Sequence, residues 1–496
     1  MIPSELDAYL NDTAQGYQTR ARAIGRIPLP SLRLRVSERR LLLVLVDLLL
    51  INGSLALALW LRSDIGRAYV WALPRWYVVL SLIWLGCAIF FDVYNLSSAA
   101  HPPTAVRRIL GASLAATLIY TLTPILTPPL GARSQTFLFV SIGCAVLPIW
   151  RLLYAQLFVQ PGFSQQALVV GAGQAGRELA TALSQGERIA DSTHISYELA
   201  GYIDANPAHW ETTICDAPVF GGHNLLLPLV KRLAVDEVVL AITHRHNISE
   251  DLLDALVQCT EQGVRVTTMS LVYERLFGRV PVDHLGNDLP RLLNMEESVV
   301  ERVYAGIRRL ADIVLAIPVL LVLGAVMPVI LAANALTSPG AAFYRQRRVG
   351  RGGRLFDIIK LRTMIPDAEK ASGPVWAELN DPRITPIGRW LRRTRLDELP
   401  QAINVLRGEM SFIGPRPERP EFVEELAKEL PFYRTRHAIR PGLTGWAQVQ
   451  YRYANSVDDA RIKLEYDLYY IKHYGPLLDL QILVKTLAVM LRCRGA

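Results

Sequence analysis

The chain has 496 residues, 51% of them hydrophobic and only 20% charged, with a mean hydropathy of +0.23. At roughly 150 residues per domain this length suggests about three domains, and the apolar excess excludes disordered, collagen-like and disulfide-stapled chains while pointing to membrane content. The formal charge of +8 is carried almost wholly by arginine, because there are only seven lysines and Lys231 alone precedes residue 300. Such a balance favours phosphates, nucleic acid or an acidic membrane leaflet. The five cysteines (Cys87, Cys144, Cys215, Cys259, Cys493) contain no C-x-x-C pair, so neither a disulfide framework nor a zinc ribbon is expected.

Residues 1–40 form an Arg-containing polar segment too long for the basic start of a signal peptide,. Apolar runs then follow near Leu41–Leu61, Tyr77–Phe91, Ile109–Leu126 and Phe137–Phe158. Their short connections predict a four-helix transmembrane module over 41–160. Seven arginines between Arg20 and Arg40 precede the first run, Arg107 and Arg108 sit in the second connection, and fewer lie on the other side. The positive-inside rule therefore places the N-terminus, and the chain after four spans, in the cytoplasm. Arg151 lies near the end of the fourth run and can snorkel, which leaves Asp47 as the deeper charge, hydrogen-bonded within the bundle,.

From Gln165 the pattern changes to alternating strand and helix signals. Ala167–Val170 reads as a buried strand, followed by Gly171-x-Gly173-x-x-Gly176 and a helix, then a second strand Ala200–Ile203 ending in Asp204. This is the start of a βαβ unit, and predicts a Rossmann-like α/β domain over 165–290. Gly171, Gly173, Gly176 and Asp204 are the candidate nucleotide-binding residues, with NAD(P) as the cofactor such a loop would hold; the alternative is a scaffold that keeps the fold without redox use. His244-x-His246 reads as two solvated loop histidines rather than a metal site,.

The run over 310–336 is long enough to span a bilayer, yet arginines flank it on both sides and Pro318 and Pro328 interrupt it. Both ends are therefore expected in the cytoplasm, joined by a broken, re-entrant helix that dips into one leaflet. A cationic stretch follows from Arg345 to Arg362. Further on, Asp397 and Glu398 follow Arg392, Arg393 and Arg395 at what reads as a helix start, where Asp is a good N-cap,. The helix dipole and guanidinium groups there would lower a carboxylate pKa and keep Asp397 ionised as a nucleophile or metal ligand.

The C-terminal block carries ordered motifs: Arg309-Leu-Ala-Asp312, Phe343-Tyr-Arg-Gln346-Arg-Arg-Val-Gly350, Lys360-Leu-Arg362-Thr-Met364, Leu396-Asp397-Glu398-Leu-Pro-Gln401, Met410-Ser-Phe-Ile-Gly414-Pro415-Arg416-Pro417 and Arg440-Pro441-Gly442-Leu-Thr-Gly445-Trp446-Ala-Gln448-Val. It resembles the bacterial sugar transferases, the monotopic polyprenyl-phosphate phosphoglycosyltransferases. The four runs and α/β domain resemble the long form of that family. The resemblance implies a mostly α catalytic domain over 300–496 with a re-entrant helix over 310–336. It also implies transfer of a sugar 1-phosphate from a nucleoside diphosphate sugar, of the UDP-hexose kind, to polyprenyl (undecaprenyl) phosphate with release of UMP. That reaction would begin exopolysaccharide, capsule or O-antigen repeat units.

By the same resemblance Asp397 would form a covalent phosphosugar intermediate and Glu398 would assist. Both carboxylates would hold Mg²⁺, a hard cation suited to carboxylate and phosphate oxygens. Arg392, Arg416 and Pro417 would contact phosphate or nucleotide, with Lys360, Arg362, Asp381 and Arg383 as further substrate-binding candidates. The implied partners are the nucleotide sugar, the lipid acceptor and the bacterial inner membrane, with catalysis on its cytoplasmic face, no nucleic acid, and a homo-oligomer left open. The chain departs from the family pattern at Ala325, where a Ser-Pro break is usual and the nearest break is Met327-Pro328, and at Gln450-Tyr451, where Asn-Gly is common. Two other functions compete. A membrane-attached nucleotide-sugar dehydratase or epimerase would need a Tyr-x-x-x-Lys pair, and none of the seven lysines has tyrosine four residues before it. A non-enzymatic scaffold for polysaccharide assembly would suit only residues 1–290.

Overall fold

The computed structural model describes residues 36–61, 74–94, 102–123, 133–158, 165–186, 197–243, 248–284, 299–365, 381–451 and 456–491. Most of the 1–40 segment, and both His244 and His246, lie outside the described residues. The chain divides into two units, Met1–Phe277 and Gly278–Ala496.

The first unit opens with four helices: α1 (Val36–Trp60), α2 (Arg75–Phe90), α3 (Pro102–Thr121) and α4 (Arg133–Phe158). Leu55, Leu80, Trp84, Ile109, Ala116, Phe139 and Leu147 fill their common core. Small residues on α3, among them Ala112, Ser113, Ala116 and Thr117, are buried there, which permits the close helix approach that membrane bundles use. Leu41–Trp60 and Ser134–Ala155 are long and apolar enough to cross a bilayer. Helix α2 is apolar but has 16 residues, about 24 Å. Helix α3 begins at Pro102 rather than Ile109 and ends at Thr121 rather than Leu126. Proline is pre-set for a first helical turn, so Arg107 and Arg108 join the helix instead of its connection, and Arg108 pairs with Asp92 at 3.2 Å. Arg151 does not snorkel: it is 1% exposed and bonds Asp47 at 2.6 Å, tying α4 to α1. Buried among apolar helices, the two charges neutralise each other, with Tyr94 hydrogen-bonded to Asp47 and its ring 5.7 Å from the Arg151 guanidinium,.

The rest of this unit is a six-stranded sheet in the order β3-β4-β2-β1-β5-β6, comprising β1 (Gln165–Val170), β2 (Tyr197–Ile203), β3 (Thr213–Ile214), β4 (Ala217–Gly221), β5 (Glu237–Leu240) and β6 (Arg265–Thr268). All pairings are parallel except β3 with β4. Alternate residues of a strand face opposite sides. Ala167 and Val169 accordingly pack with α5 (Gln174–Gly186) and α8 (Met269–Phe277), while Leu168 and Val170 pack with α6 (Leu226–Arg232) and α7 (Glu250–Glu261). The strand order reverses direction between β1 and β5, and the glycine loop follows β1 at that point. Gly176 lets α5 start against the strand, because a Cβ there would lie 2.1 Å from Gly171 O.

The second unit is built along α9 (Val299–Thr337), a 39-residue helix whose Arg302–Thr337 stretch is the third helix long and apolar enough to cross a membrane. The chain is a membrane protein. The expected break is not seen, since the helix is continuous through Pro318 and Pro328. An interior proline removes one amide bond and bends a helix, and neighbouring groups can re-satisfy the freed carbonyl. One face of α9 is buried throughout: Asp312, Ala316, Leu323, Ile330 and Asn334 recur at helical spacing,. The other face exposes Leu310, Val314, Ile317, Leu321 and Val329.

Against the buried face lie the antiparallel pair β7 (Phe343–Val349) and β8 (Leu355–Leu361), helices α10 (Pro386–Thr394) and α11 (Ala402–Arg407), and the parallel pair β9 (Ser411–Ile413) and β10 (Gly442–Thr444). Helices α12 (Pro420–Glu429), α13 (Trp446–Gln450), α14 (Val457–His473) and α15 (Pro476–Leu491) complete the unit. Residues Gly278–His284 belong here rather than to the α/β domain: Val280 and Val282 are buried with Leu464 and Leu468, and Trp446 Nε1 donates to Gly278 O at 2.7 Å.

Candidate active site

Helix α10 is started by Thr385, whose hydroxyl accepts from Gly388 N at 3.0 Å, with Pro386 in the first turn. It is stopped by Arg395 in the left-handed conformation, φ 61°. The next six residues, Leu396–Gln401, form a 3-10 segment with Asp397 and Glu398 in its first turn. The N-cap role expected of Asp397 is absent: Arg395 holds that position without a side-chain cap, and α11 starts only at Ala402. The two carboxylates turn to cations instead. Glu398 Oε1 accepts from Arg416 Nη2 at 2.7 Å and lies 3.6 Å from Lys360 Nζ, while its Oε2 lies 3.8 Å from Arg395 Nη1.

Asp397 is 9% exposed, and its Oδ1 has no hydrogen-bond partner. Burial, followed by the Glu398 charge, raises its carboxyl to about 6, against the pull of Lys360, Arg392 and Arg395. The downward shift expected for Asp397 therefore falls on its neighbour. Burial alone would raise Glu398, but Arg416, Lys360 and Arg395 outweigh it and hold that carboxyl well below the usual range. Lys360 on β8 is itself pushed down to about 8, chiefly by burial and in opposition to Glu398. Two adjacent carboxylates, both buried, are thus driven apart by their surroundings, Glu398 as the anion held by its cations and Asp397 as the one whose Oδ1 has no hydrogen-bond partner,.

The other candidates divide. Arg392 donates to Thr363 Oγ1 at 3.0 Å and faces Asp397 electrostatically. Pro417 contributes its carbonyl to Arg348 Nη1 at 3.2 Å. Arg362 is engaged elsewhere: it donates to Asn334 Oδ1 at 2.8 Å and to Ser338 O, so its guanidinium fastens the end of α9. Asp381 and Arg383 pair with each other at 2.6 Å in the turn before α10. In the α/β domain, Asp204 Oδ2 accepts from Ala172 N at 2.6 Å, and His209 Nδ1 lies 3.3 Å away. The carboxylate expected to meet a ribose thus already satisfies the glycine loop's own amide. Arg395 was named from the sequence only as one of the arginines preceding the dyad, and Arg348 was not singled out, although it stands in the arginine-rich stretch that follows α9.

Among the described residues no group of three or more His, Cys, Asp or Glu could hold a metal ion. Asp397 Oδ1, buried and without a hydrogen-bond partner, suits a hard cation sharing its shell with substrate phosphates,. Glu398 is already neutralised by three cations.

Residues 303–493 match the family model for bacterial sugar transferase. A UDP-N-acetylgalactosamine-undecaprenyl-phosphate N-acetylgalactosaminephosphotransferase of Aeromonas hydrophila is 42% identical over 242 residues, 49% of this chain and 56% of that protein. A Bacillus subtilis protein, assigned provisionally as an undecaprenyl-phosphate N-acetylgalactosaminyl 1-phosphate transferase, is 50% identical over 133 residues, 27% of this chain and 74% of that protein. An undecaprenyl-phosphate galactose phosphotransferase of Salmonella typhimurium is 28% identical over 368 residues, 71% of this chain and 73% of that protein. The chain belongs to the bacterial sugar transferase family. Its match to the Aeromonas relative spans little more than half of that protein's length.

Proposed function

We propose that the protein transfers a sugar 1-phosphate from a UDP-hexose to polyprenyl phosphate, with Asp397 as the nucleophile. The observation that carries this reading is the buried Asp397 Oδ1, without a partner, set among the charges of Lys360, Arg392 and Arg395, with Arg416 on the adjoining Glu398. Asp397 attacks the β-phosphorus of the donor, a P–O bond forms to the carboxylate, and the bond to the UMP leaving group breaks. A phosphate oxygen of the lipid then attacks the same phosphorus, the aspartyl bond breaks, and the product is the polyprenyl diphosphate sugar. The arginines and Lys360 offset the phosphate charge that would repel an anionic nucleophile. Mg²⁺ would supply further charge neutralisation when held by Asp397 and the donor diphosphate. The relatives' names, which pair several sugars with the same lipid phosphate, support the reaction class and leave the sugar open.

Such chemistry needs a cytoplasmic nucleotide sugar and a membrane lipid to meet. Helix α9 supports a re-entrant insertion from the cytoplasmic face of the bacterial inner membrane, because both of its ends hold the same unit. At one end Arg309 donates to Val405 O and Leu406 O at 2.6 and 2.7 Å, and at the other Asn334 accepts from Arg362. A crossing helix would carry its far end away from the unit that packs on it. For the first unit, the contact of Asp204 with Ala172 favours a scaffold that keeps its fold without NAD(P).

The test uses the full chain in detergent with polyprenyl phosphate and a panel of radiolabelled UDP-glucose, UDP-galactose and UDP-N-acetylgalactosamine. Label should enter the lipid phase from at least one donor, and Asp397→Asn should abolish transfer while the protein stays folded. Donor without lipid should leave a phosphosugar adduct on the peptide containing Asp397. Near-normal turnover in Asp397→Asn would overturn the mechanism.

A further inference from the structure

The turn Pro415–Glu418 carries Arg416 to Glu398, and it is held in an unusual way. Pro415 and Pro417 have no amide hydrogen, so the turn must be fixed largely through its acceptors. All four of its carbonyls are engaged, each by a different residue. Pro415 O accepts from Gly442 N at 2.9 Å and Glu418 O from Val349 N at 3.0 Å. Pro417 O accepts from Arg348 Nη1 at 3.2 Å. Arg416 O accepts from Arg436 Nη2 at 3.0 Å.

Arg436 belongs to the 3-10 segment Tyr433–Ala438 and is 6% exposed. Its Nη2 and Nε donate to Asp467 Oδ2 at 2.7 and 3.2 Å, and its Nη1 donates to Tyr433 Oη at 2.9 Å. Asp467, on α14, is 2% exposed. A buried ion pair adds little stability over apolar side chains of similar volume. An apolar pair, however, could not donate to Arg416 O. Resting on the function proposed above, we infer that Arg436, oriented by Asp467, is a positioning residue that fixes the backbone of Arg416 so that its guanidinium meets Glu398 beside the nucleophile.

The experiment compares four forms of the full chain in detergent: wild type, Arg416→Ala, the double replacement Arg436→Met with Asp467→Leu, and all three together. Replacing both partners avoids a stranded buried charge, so the double variant should fold. It should lose transfer by about 10- to 100-fold, the scale of a 1 Å misplacement. In the Arg416→Ala background the same double replacement should cost less than about threefold, because the side chain it positions is gone. Deuterium exchange at the amides of Gly414, Arg416 and Glu418 should rise in the double variant. Arg436→Lys, which keeps the charge but loses the planar fork, should move transfer and exchange in the same direction and serves if the double variant does not fold. Wild-type transfer in the double variant, losses that multiply independently of Arg416, or unchanged exchange at the turn would overturn the inference. If the wild type transfers no sugar phosphate from any donor, the reaction proposed above falls. Exchange at the turn then decides the positioning role by itself.

Discussion

Gly388→Ala should damage the site through a single added methyl group. Gly388 lies in the first turn of α10, and a Cβ there would sit 2.0 Å from Thr363 O, 2.7 Å from its carbonyl carbon and 2.8 Å from its Cα. All three are backbone atoms, so no rotamer change relieves the contact. Ordinary contact starts at 3.4 Å, so helix and strand end must separate by more than 1 Å. The same Thr363 carbonyl accepts from Thr385 N at 3.0 Å and from Thr385 Oγ1 at 3.3 Å, and both bonds stretch with the separation. Overpacking costs about 1–3 kcal/mol and each weakened hydrogen bond about 1 more, for a loss of about 2–4 kcal/mol. At roughly 2–4 °C per kcal/mol for a unit of this size, Tm should fall by about 5–15 °C. Arg392 is tied to Thr363 Oγ1 and the dyad follows directly after α10, so transfer well below Tm should also drop, by about 100-fold,. Thermal unfolding in detergent and label transfer at low temperature measure the two effects. Gly306→Ala is the matched control, because nothing lies within 4 Å of its Cβ. Equal stability of the two variants would refute the close-approach argument.

Glu465, on α14, gives a pH-dependent stability. Burial pushes its carboxyl up to about 7 from an ordinary 4.5, despite Arg279 at 3.2 Å. The protonated form is favoured by the fold, so its contribution is complete below about 4.5 and is lost as pH rises through about 7. The contribution is on the order of 3 kcal/mol. Wild-type Tm should therefore rise on acidification from pH 8 to pH 5, and Glu465→Gln should flatten that rise; parallel curves would contradict it. In the membrane bundle, Arg151→Leu should destabilise by about 3–5 kcal/mol by stranding Asp47, whereas Arg151→Leu with Asp47→Leu should recover most of the loss. A double variant no more stable than the single one in detergent unfolding would count against that account.

Elements with a strong period were visible in the sequence: the four N-terminal helices, the βαβ start at Ala167 and the adjacency of Asp397 to a run of arginines. What was misread depends on partners distant in sequence. Arg151 looked free to reach water because its counter-charge, Asp47, lies on another helix. A downward shift was expected for Asp397 because its cations are neighbours in the chain, whereas the folded site gives Arg416 to Glu398 and buries Asp397, whose carboxyl is raised instead. Arg362 and Asp204 carry the right side chains for phosphate and ribose, yet the backbone geometry directs them to the end of α9 and to the glycine loop. Arg436 gave no signal at all, since its role lies in a bond to a carbonyl, and carbonyls leave no mark in a sequence.

Helix α9 has a consequence for anyone wishing to obtain the second unit as a water-soluble protein. Ala316 packs with Phe356 and Val405, and Ile330 packs with Leu361 and Leu391, so the helix cannot be trimmed away without emptying the interior of the unit. The same helix presents Leu310, Ile317 and Leu321 outward, so it cannot be kept without a greasy exterior. Surface engineering has to be confined to those outward positions, and each polar replacement there should raise solubility while loosening the hold on lipid. Anchor and keel are one piece.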